Sequence, residues 1–512
     1  MLLLAGSTLA AQNTYTNAEI SSTSDVIGTA RYVGMGGALG ALGADISAIS
    51  SNPAAIGLYR KNDISMTAGV LWPKNREYDM NGEALTHGTF DQIGFVTAFN
   101  MGGDGLKFVN FSFNYQKKFN FNNAFYADNP NTKGLSQMDQ LASIANNWYS
   151  EENLLGTAYN AYTMDQDNQG YYNAWSAQSN QYASYTTGSS QAFDLNLSFN
   201  NLDRYYFGLT LGCENIDYDK WTSYTEFRDG DATCPVQDYT LYNDQRVDGF
   251  GINFKFGTII RTIDESPLRF GLTVETPTWY NMKSSTVHNI DSRYDNNGYY
   301  QNYYTNHQGY DDSYLEYNLK TPWRFRFSMG STVDKYFAWG AEYEYSNYAH
   351  EKMSYDTDDW GGHTTKDVEM NRLTKNMLQG QHHVKVGLEA KPADAWAVRL
   401  GYNYISSPYK KDAYLNSNID SYAMDYITNT SFMNLKATNI LTLGVGWKSK
   451  YFYADLVYKI RNQSGDFYAF DDSFSSEAQF VSDNPGVAYQ KLDPVDVNLT
   501  RHTITATIGV KF

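Results

Sequence analysis

The sequence predicts an all-β fold: a transmembrane antiparallel β-barrel of about fourteen strands with a plugged lumen. Three observations predict it. The 512-residue chain is polar on average, with a net charge of −17 and a mean hydropathy of −0.54, yet 16% of it is aromatic. Apolar and polar residues alternate with period two in segment after segment. The connections between those segments are short and long by turns. No window approaches the roughly 18 apolar residues that mark a spanning helix. In a barrel only every second strand residue meets lipid, and aromatic girdles sit at both interfaces.

Residues 1–11 (MLLLAGSTLAA) read as the remnant of a secretory signal. An apolar run leads to small residues, with cleavage expected near Ala10 or Ala11, although the usual basic start is missing. A disordered soluble terminus is the alternative.

Residues 12–62 do not read as barrel wall. They hold a small, glycine-rich run through Gly34, Gly36, Gly37, Gly40 and Gly43, then Ile46 to Ser51, then Asn52-Pro53-Ala54-Ala55. Such residues permit tight turns and close backbone approach. Leu39 to Ile49 is expected to form a short helix that stops near Asn52-Pro53. A dinucleotide fingerprint is excluded, because Leu39 stands where the third glycine belongs and no strand precedes the run.

From residue 63 the alternation sets in, and residues 63–512 are read as the barrel. Successive strand side chains point to opposite faces. Phe193, Leu195, Leu197 and Phe199 oppose Asp194, Asn196, Ser198 and Asn200. Phe250, Ile252, Phe254 and Phe256 oppose Gly251, Asn253, Lys255 and Gly257. Similar segments recur near 64–70, 90–101, 105–121, 205–212, 268–275, 323–330, 336–346, 383–389, 396–403, 441–447 and 452–459. The last strand sets Ile504, Ala506, Ile508, Val510 and the terminal Phe512 against Thr503, Thr505, Thr507, Gly509 and Lys511. An amphipathic strand ending in an aromatic resembles the recognition signal of outer-membrane barrels.

One apolar face per strand also suits a soluble sandwich. Loop lengths decide against it. Short connections fall near 102–104, 201–204, 262–266, 332–335, 391–394 and 449–450. Long ones fall near 73–88, 122–188, 217–245, 285–313, 347–380, 406–436 and 462–499. Outer-membrane barrels have short turns at one end and long loops at the other, whereas a compact soluble domain rarely carries such loops. Closure leaves no strand edge, so every backbone group at membrane depth is paired.

The stretch Ala30 to Tyr59 (ARYVGMGGALGALGADISAISSNPAAIGLY) resembles the N-terminal hatch of the FadL/TodX family of outer-membrane transporters of hydrophobic compounds, in a Bacteroidetes-like member. Asn52-Pro53-Ala54 matches that family's Asn-Pro-Ala motif, and Gly36 and Gly37 belong to the same hatch stretch. Pro267 to Ser285 and Val384 to Tyr409 resemble further family segments, the latter ending in Ser407-Pro408. The resemblance implies a monomer in the bacterial outer membrane, in contact with its lipid, that takes up hydrophobic small molecules such as long-chain fatty acids. A ligand would be caught at external loops and held above the hatch. Hatch rearrangement would then free it, and it would leave sideways at a kink in the third strand. Here that strand is Leu106 to Phe121, with Phe111, Phe113 and Tyr115 expected to face lipid. Barrels similar to this family also serve in protein secretion, which is the alternative function.

Two sets of side chains are candidates for ligand contact. Met138, Leu141, Ile144 and Trp148 share a helical stripe in the 122–188 loop, forming either an external groove or the core of a folded loop. Arg269, Arg324, Arg326 and Arg399 fall on the polar face, beside Asp194, Glu275 and Asp455. They either pair within the lumen or hold a ligand carboxylate.

Other classes find no support. The acidic balance excludes a nucleic-acid partner. HExxH, GxSxG, Walker and CxxC patterns are absent, so no catalytic residue, metal or cofactor is assigned. His382-His383 falls on a strand and reads as lumen or rim. Cys213 and Cys234 could form one bridge or stay free.

Overall fold

The computed structural model describes residues 12–74, 86–147, 154–228, 236–263, 266–296, 299–307, 314–356, 363–411, 413–415, 421, 428–471 and 492–512. Residues 1–11, Trp148 and Cys234 lie outside this set.

Fourteen antiparallel strands close into a barrel. They are β1 (Asp63–Pro73), β2 (His87–Asn100), β3 (Leu106–Asn120), β4 (Ala177–Asn201), β5 (Tyr205–Arg228) and β6 (Val236–Arg261). β7 runs Arg269–Glu275 and continues as Trp279–Asn296; β8 runs Tyr314–Lys320 and continues as Arg324–Val333. β9 (Phe337–Asn347), β10 (Gly380–Ala393), β11 (Trp396–Ile405), β12 (Thr438–Lys448), β13 (Phe452–Asn462) and β14 (Arg501–Lys511) complete the wall. Each strand pairs with its chain neighbour, and β14 returns to β1 from Asp63↔Lys511 to Pro73↔Arg501. Asn62 and Phe512 exchange backbone hydrogen bonds of 3.0 and 3.1 Å below that seam.

The burial pattern is the inverse of a soluble sheet. On β4, Leu195 is 43% exposed while Asp194 and Asn196 are 1% exposed. The apolar face points outward around the barrel, and the polar face fills the lumen. A lipid solvent explains this: outward leucines and phenylalanines meet hydrocarbon, and inward polar groups meet one another.

The wall is taller than the alternation implied. The expected loops 122–188, 217–245 and 285–313 are partly strand. β4, β5, β6 and β7 run on past the apolar belt to Ala177, Arg228, Val236 and Asn296, and Asn123–Asn129 pairs with β4 beyond β3. Above the membrane both faces of a strand meet protein or water. The period-two signal therefore ends there although the ladder does not, and Tyr, Thr and Ser sustain it.

The N-terminal segment lies inside. α1 (Gln12–Ser22) packs among the long loops, α2 (Ala30–Gly34) lies lower, and 3-10 turns follow at Ile46–Ser50 and Pro53–Leu58. The helix expected over Leu39 to Ile49 does not form. Gly36, Gly37 and Gly43 have φ of +59°, +74° and +61°, and Ala44 follows at +56°, so the chain turns repeatedly instead. Pro53 does not end a helix either; it opens the next turn, behind Asn52 as cap.

Met138, Leu141 and Ile144 of the external stripe lie on α3 (Gln137–Asn147), and α4 (Leu154–Asn160) belongs to the same loop. Met138, Leu141 and Ile144 sit in the largest buried apolar cluster with Phe125, Tyr182 and Phe467. All three are fully buried there, as the core of a folded loop would be.

Candidate functional site

The hatch is built from three capped turns. Thr29 caps α2 by accepting from the Tyr32 N–H at 3.1 Å, and its hydroxyl donates to Asp45 Oδ1 at 2.7 Å. Asp45 in turn accepts from the Ser47 N–H at 3.0 Å. Asn52 Oδ1 accepts from the Ala54 N–H at 3.0 Å, while Asn52 Nδ2 donates to the Thr258 carbonyl on β6, also at 3.0 Å. Each cap satisfies an orphan N–H of its turn. Pro53 and Ala54 are buried against β5, where a Cβ on Gly208 would stand 2.3 Å from the Pro53 carbonyl carbon.

The wall receives this segment on glycines. A Cβ added at Gly340 would meet the Ala38 carbonyl oxygen at 2.0 Å, and one at Gly387 would meet the Met35 oxygen at 2.2 Å. At Gly401 it would meet the Gly36 N–H nitrogen at 2.2 Å, beside Asn403, whose Nδ2 donates to the Gly36 carbonyl at 2.9 Å. These glycines fall on the polar side of the alternation. They read there as spacers, but their regular place on the inward face marks the track of the hatch.

Ion pairs bind hatch to wall. Glu389 on β10 takes Arg399 Nε at 2.7 Å and the hatch Arg31 Nε at 3.4 Å. Arg399 also takes Asp455 at 2.5 Å. Higher in the lumen, Arg326 pairs with Glu275 and Glu344 at 2.8 and 2.7 Å, and Lys255 pairs with Asp194 at 2.9 Å. Arg324 donates to the Ser21 carbonyl and to Tyr348 Oη, both at 3.2 Å; Arg269 donates to the Leu42 carbonyl at 3.2 Å. All four arginines read from the sequence therefore face inward and already hold protein partners. His383 meets Asn403 Oδ1 at 2.8 Å in the lumen, whereas His382 faces outward to Tyr343.

Two cavities lie above the hatch. The outer one is walled by Phe119, Phe121, Phe125, Tyr182, Phe467 and α1. The inner one is lined by Ile20, Ser21 and residues 23–27 of the hatch, by Gln116, Lys117 and Lys118, and by the Lys255–Asp194 and Arg326–Glu275–Glu344 pairs. Thr23 and Phe119 stand in the walls of both. Beside them the β2–β3 ladder stops at Gln92↔Gln116, though both strands continue. His87–Phe90 pair only with β1, and Lys117–Asn120 only with β4, through a bulge between Lys117 and Phe119. Lys117 Nζ crosses the gap to Thr89 Oγ1 at 2.9 Å, and outside it the Phe90 and Tyr115 rings stack at 5.7 Å. The sequence could not place this break, because a bulge leaves the residue types unchanged.

The full-length architecture has a match among solved structures. A Pseudomonas aeruginosa FadL homologue superposes with a TM-score of 0.52 at 12% identity, over 95% of this chain and 99% of that one. The chain has the FadL fold. The toluene transporters TodX of Pseudomonas putida (10% identity, TM-score 0.48) and TbuX of Ralstonia pickettii (11%, 0.48) are also similar, each over 95% of this chain and 99% of theirs. No protein-family profile and no curated protein matches the chain. The likeness therefore lies in backbone geometry, and it extends over nearly the whole chain.

Among the described residues no group of three His, Cys, Asp or Glu is placed to hold a metal. Cys213 sits on β5 between Phe193 and Ile252.

Proposed function

We propose that this chain carries apolar small molecules, long-chain fatty acids among them, into a bacterial outer membrane. One observation carries the reading: two neighbouring cavities that share Thr23 and Phe119 in their walls lie beside the place where β2 and β3 part. A ligand enters through the loop cap into the outer cavity and passes α1 to the inner one. The stretch 23–27 shifts, and the ligand leaves sideways between Gln92 and Lys117 into lipid. The FadL fold supports this route. So does the physics, since an apolar body kept from water throughout gains about 25 cal/mol per Å² of buried surface. The hatch corner at Asn52-Pro53-Ala54 and the seat around Gly36 and Gly37 hold the lower lumen shut while the ligand moves.

The test is extraction. The protein is purified from its native membrane in mild detergent, and bound lipids are identified by mass spectrometry beside a control barrel. A stoichiometric apolar ligand, lost on Asn52→Ala/Pro53→Ala substitution, supports uptake. No enrichment over the control, with a protein partner co-purifying, moves the reading to secretion.

A further inference from the structure

Arg461 on β13 and Arg501 on β14 are opposite one another in the ladder, both facing the lumen and each 3% exposed. Both guanidiniums lie over the same Phe119 ring, at 5.2 and 4.6 Å from its centroid. Arg501 Nη1 donates to the Asn120 carbonyl at 2.5 Å, but Arg501 Nη2 and Arg461 Nε are buried without an acceptor. Among the described residues no carboxylate lies within 4.0 Å of either side chain. This sets them apart from Arg326 and Arg399, each of which holds two carboxylates.

The neighbouring charges do not fill the gap. Lys459, two residues along β13, is held by Asp25 of the hatch at 2.8 Å; that single carboxylate also attracts Arg461 and Arg501 from beyond contact distance, so one negative charge faces three positive ones. Lys220 is held by Glu19 at 3.5 Å. Asp91 faces the same region but accepts from Thr89 and Thr505, and Lys117 across the strand gap stands against its charge. Counting these pairs out leaves two positive charges at Arg461 and Arg501. Two like charges buried side by side are costly unless an anion stands between them. Both line the outer cavity, where Phe119, Phe121, Phe125 and Phe467 stand among polar groups that include the Lys220–Glu19 pair.

We propose that Arg461 and Arg501 form a head-group site for a doubly charged oxyanion carried on an apolar body. A guanidinium presents its donors in a planar fork that matches such oxygens, and two forks match a dianion better than a single carboxylate. Phe119 holds the two guanidiniums against its ring face, and Phe121, Phe125 and Phe467 take the body. This rests on the uptake reading above and narrows it: the ligand class is an acidic amphipath, gripped at the mouth before it reaches the paired charges of the inner cavity.

The experiment uses the full chain in amphipol and titrates three probes with one tail: dodecanol, dodecanoate and dodecyl phosphate. At pH 8 dodecyl phosphate binds about 100-fold more tightly than dodecanol, with dodecanoate between. At pH 5 the phosphate, whose second ionisation lies near about 6, falls to the level of dodecanoate at pH 8. R461Q/R501Q abolishes the preference and leaves dodecanol binding in place. Equal binding of all three probes at pH 8, or a preference that survives R461Q/R501Q, overturns the proposal and leaves the uptake reading standing. Failure of dodecanol and dodecyl phosphate alike overturns both. Should the double variant not fold, the comparison of probes and pH on the natural protein decides the matter.

Discussion

Asn52 joins the hatch to the wall with one side chain, its Oδ1 closing the turn on the Ala54 N–H and its Nδ2 donating to the Thr258 carbonyl of β6. The first bond is buried and the second partly so. Asn52→Ala removes a cap worth about 0.5–2 kcal/mol and a wall bond worth about 1 kcal/mol. The barrel has its own closed ladder and stays folded. The expected result is faster amide exchange in 46–58 with unchanged exchange in β12 to β14, read by mass spectrometry. Equal exchange in the hatch of both proteins contradicts the assigned role of Asn52.

The glycine seat makes a sharper demand. At Gly387 a side chain would enter the space of the Met35 carbonyl, and nothing there is the flexible end of a side chain. Gly387→Val therefore lifts the hatch from β10 while suiting the strand itself, since valine is a good strand former. In planar bilayers the natural protein is expected to show low ion conductance and the variant severalfold more. Insertion of the variant with unchanged conductance would show that the hatch tolerates the side chain.

Glu389 gathers three cations: Arg399, the hatch Arg31, and Lys391 at 3.4 Å. Removing one partner of a buried pair is costly, about 3–5 kcal/mol, because the other charge stays buried. Glu389→Gln leaves Arg399 with Asp455 but leaves Arg31 with Asp45 at 4.0 Å and the Ala44 and Gly43 carbonyls at 2.8 and 3.5 Å. The loss falls on the hatch. Limited proteolysis is expected to cut the variant within 23–45 while the natural chain resists; equal resistance would place the hatch anchor elsewhere.

The wall was legible in the sequence because lipid imposes a strict period of two, and Phe193, Leu195 and Leu197 obey it. The height of β4 to β7 was not, since residues such as Tyr182 and Ser184 meet protein and lose that period. The hatch showed itself through Gly36, Gly37 and Asn52-Pro53, but its turns at Ala44 and Leu39 follow from backbone angles that no residue pattern fixes. Met138, Leu141 and Ile144 looked equally like a groove or a core; only packing against Phe467 decides. Arg461 and Arg501 were missed for a related reason. The inward alternation from Lys459 and Thr503 reaches them, but the absence of an opposing carboxylate is a fact of three dimensions.

Glu351 supplies a pH dependence outside the membrane. It follows the short turn Tyr348–His350 at the long-loop end and accepts from Ser21 Oγ of α1 at 2.5 Å. Burial pushes its carboxyl up to about 7, against smaller lowering by the Ser21 hydroxyl and Arg324. A carboxyl raised in the folded state binds its proton more tightly than in the open one. Its contribution is complete below the ordinary glutamate value of about 4.3 and declines as pH rises towards 7, by up to ~3 kcal/mol. Undocking α1 exposes this carboxyl, so α1 is expected to open more readily at pH 8 than at pH 5.5. Glu351→Gln cannot ionise and removes the difference. Amide exchange of Gln12–Ser22, corrected for intrinsic rates, measures this: protection should fall with pH in the natural protein and stay level in the variant. A natural protein as level as the variant would mean that Glu351 keeps its proton balance when α1 leaves.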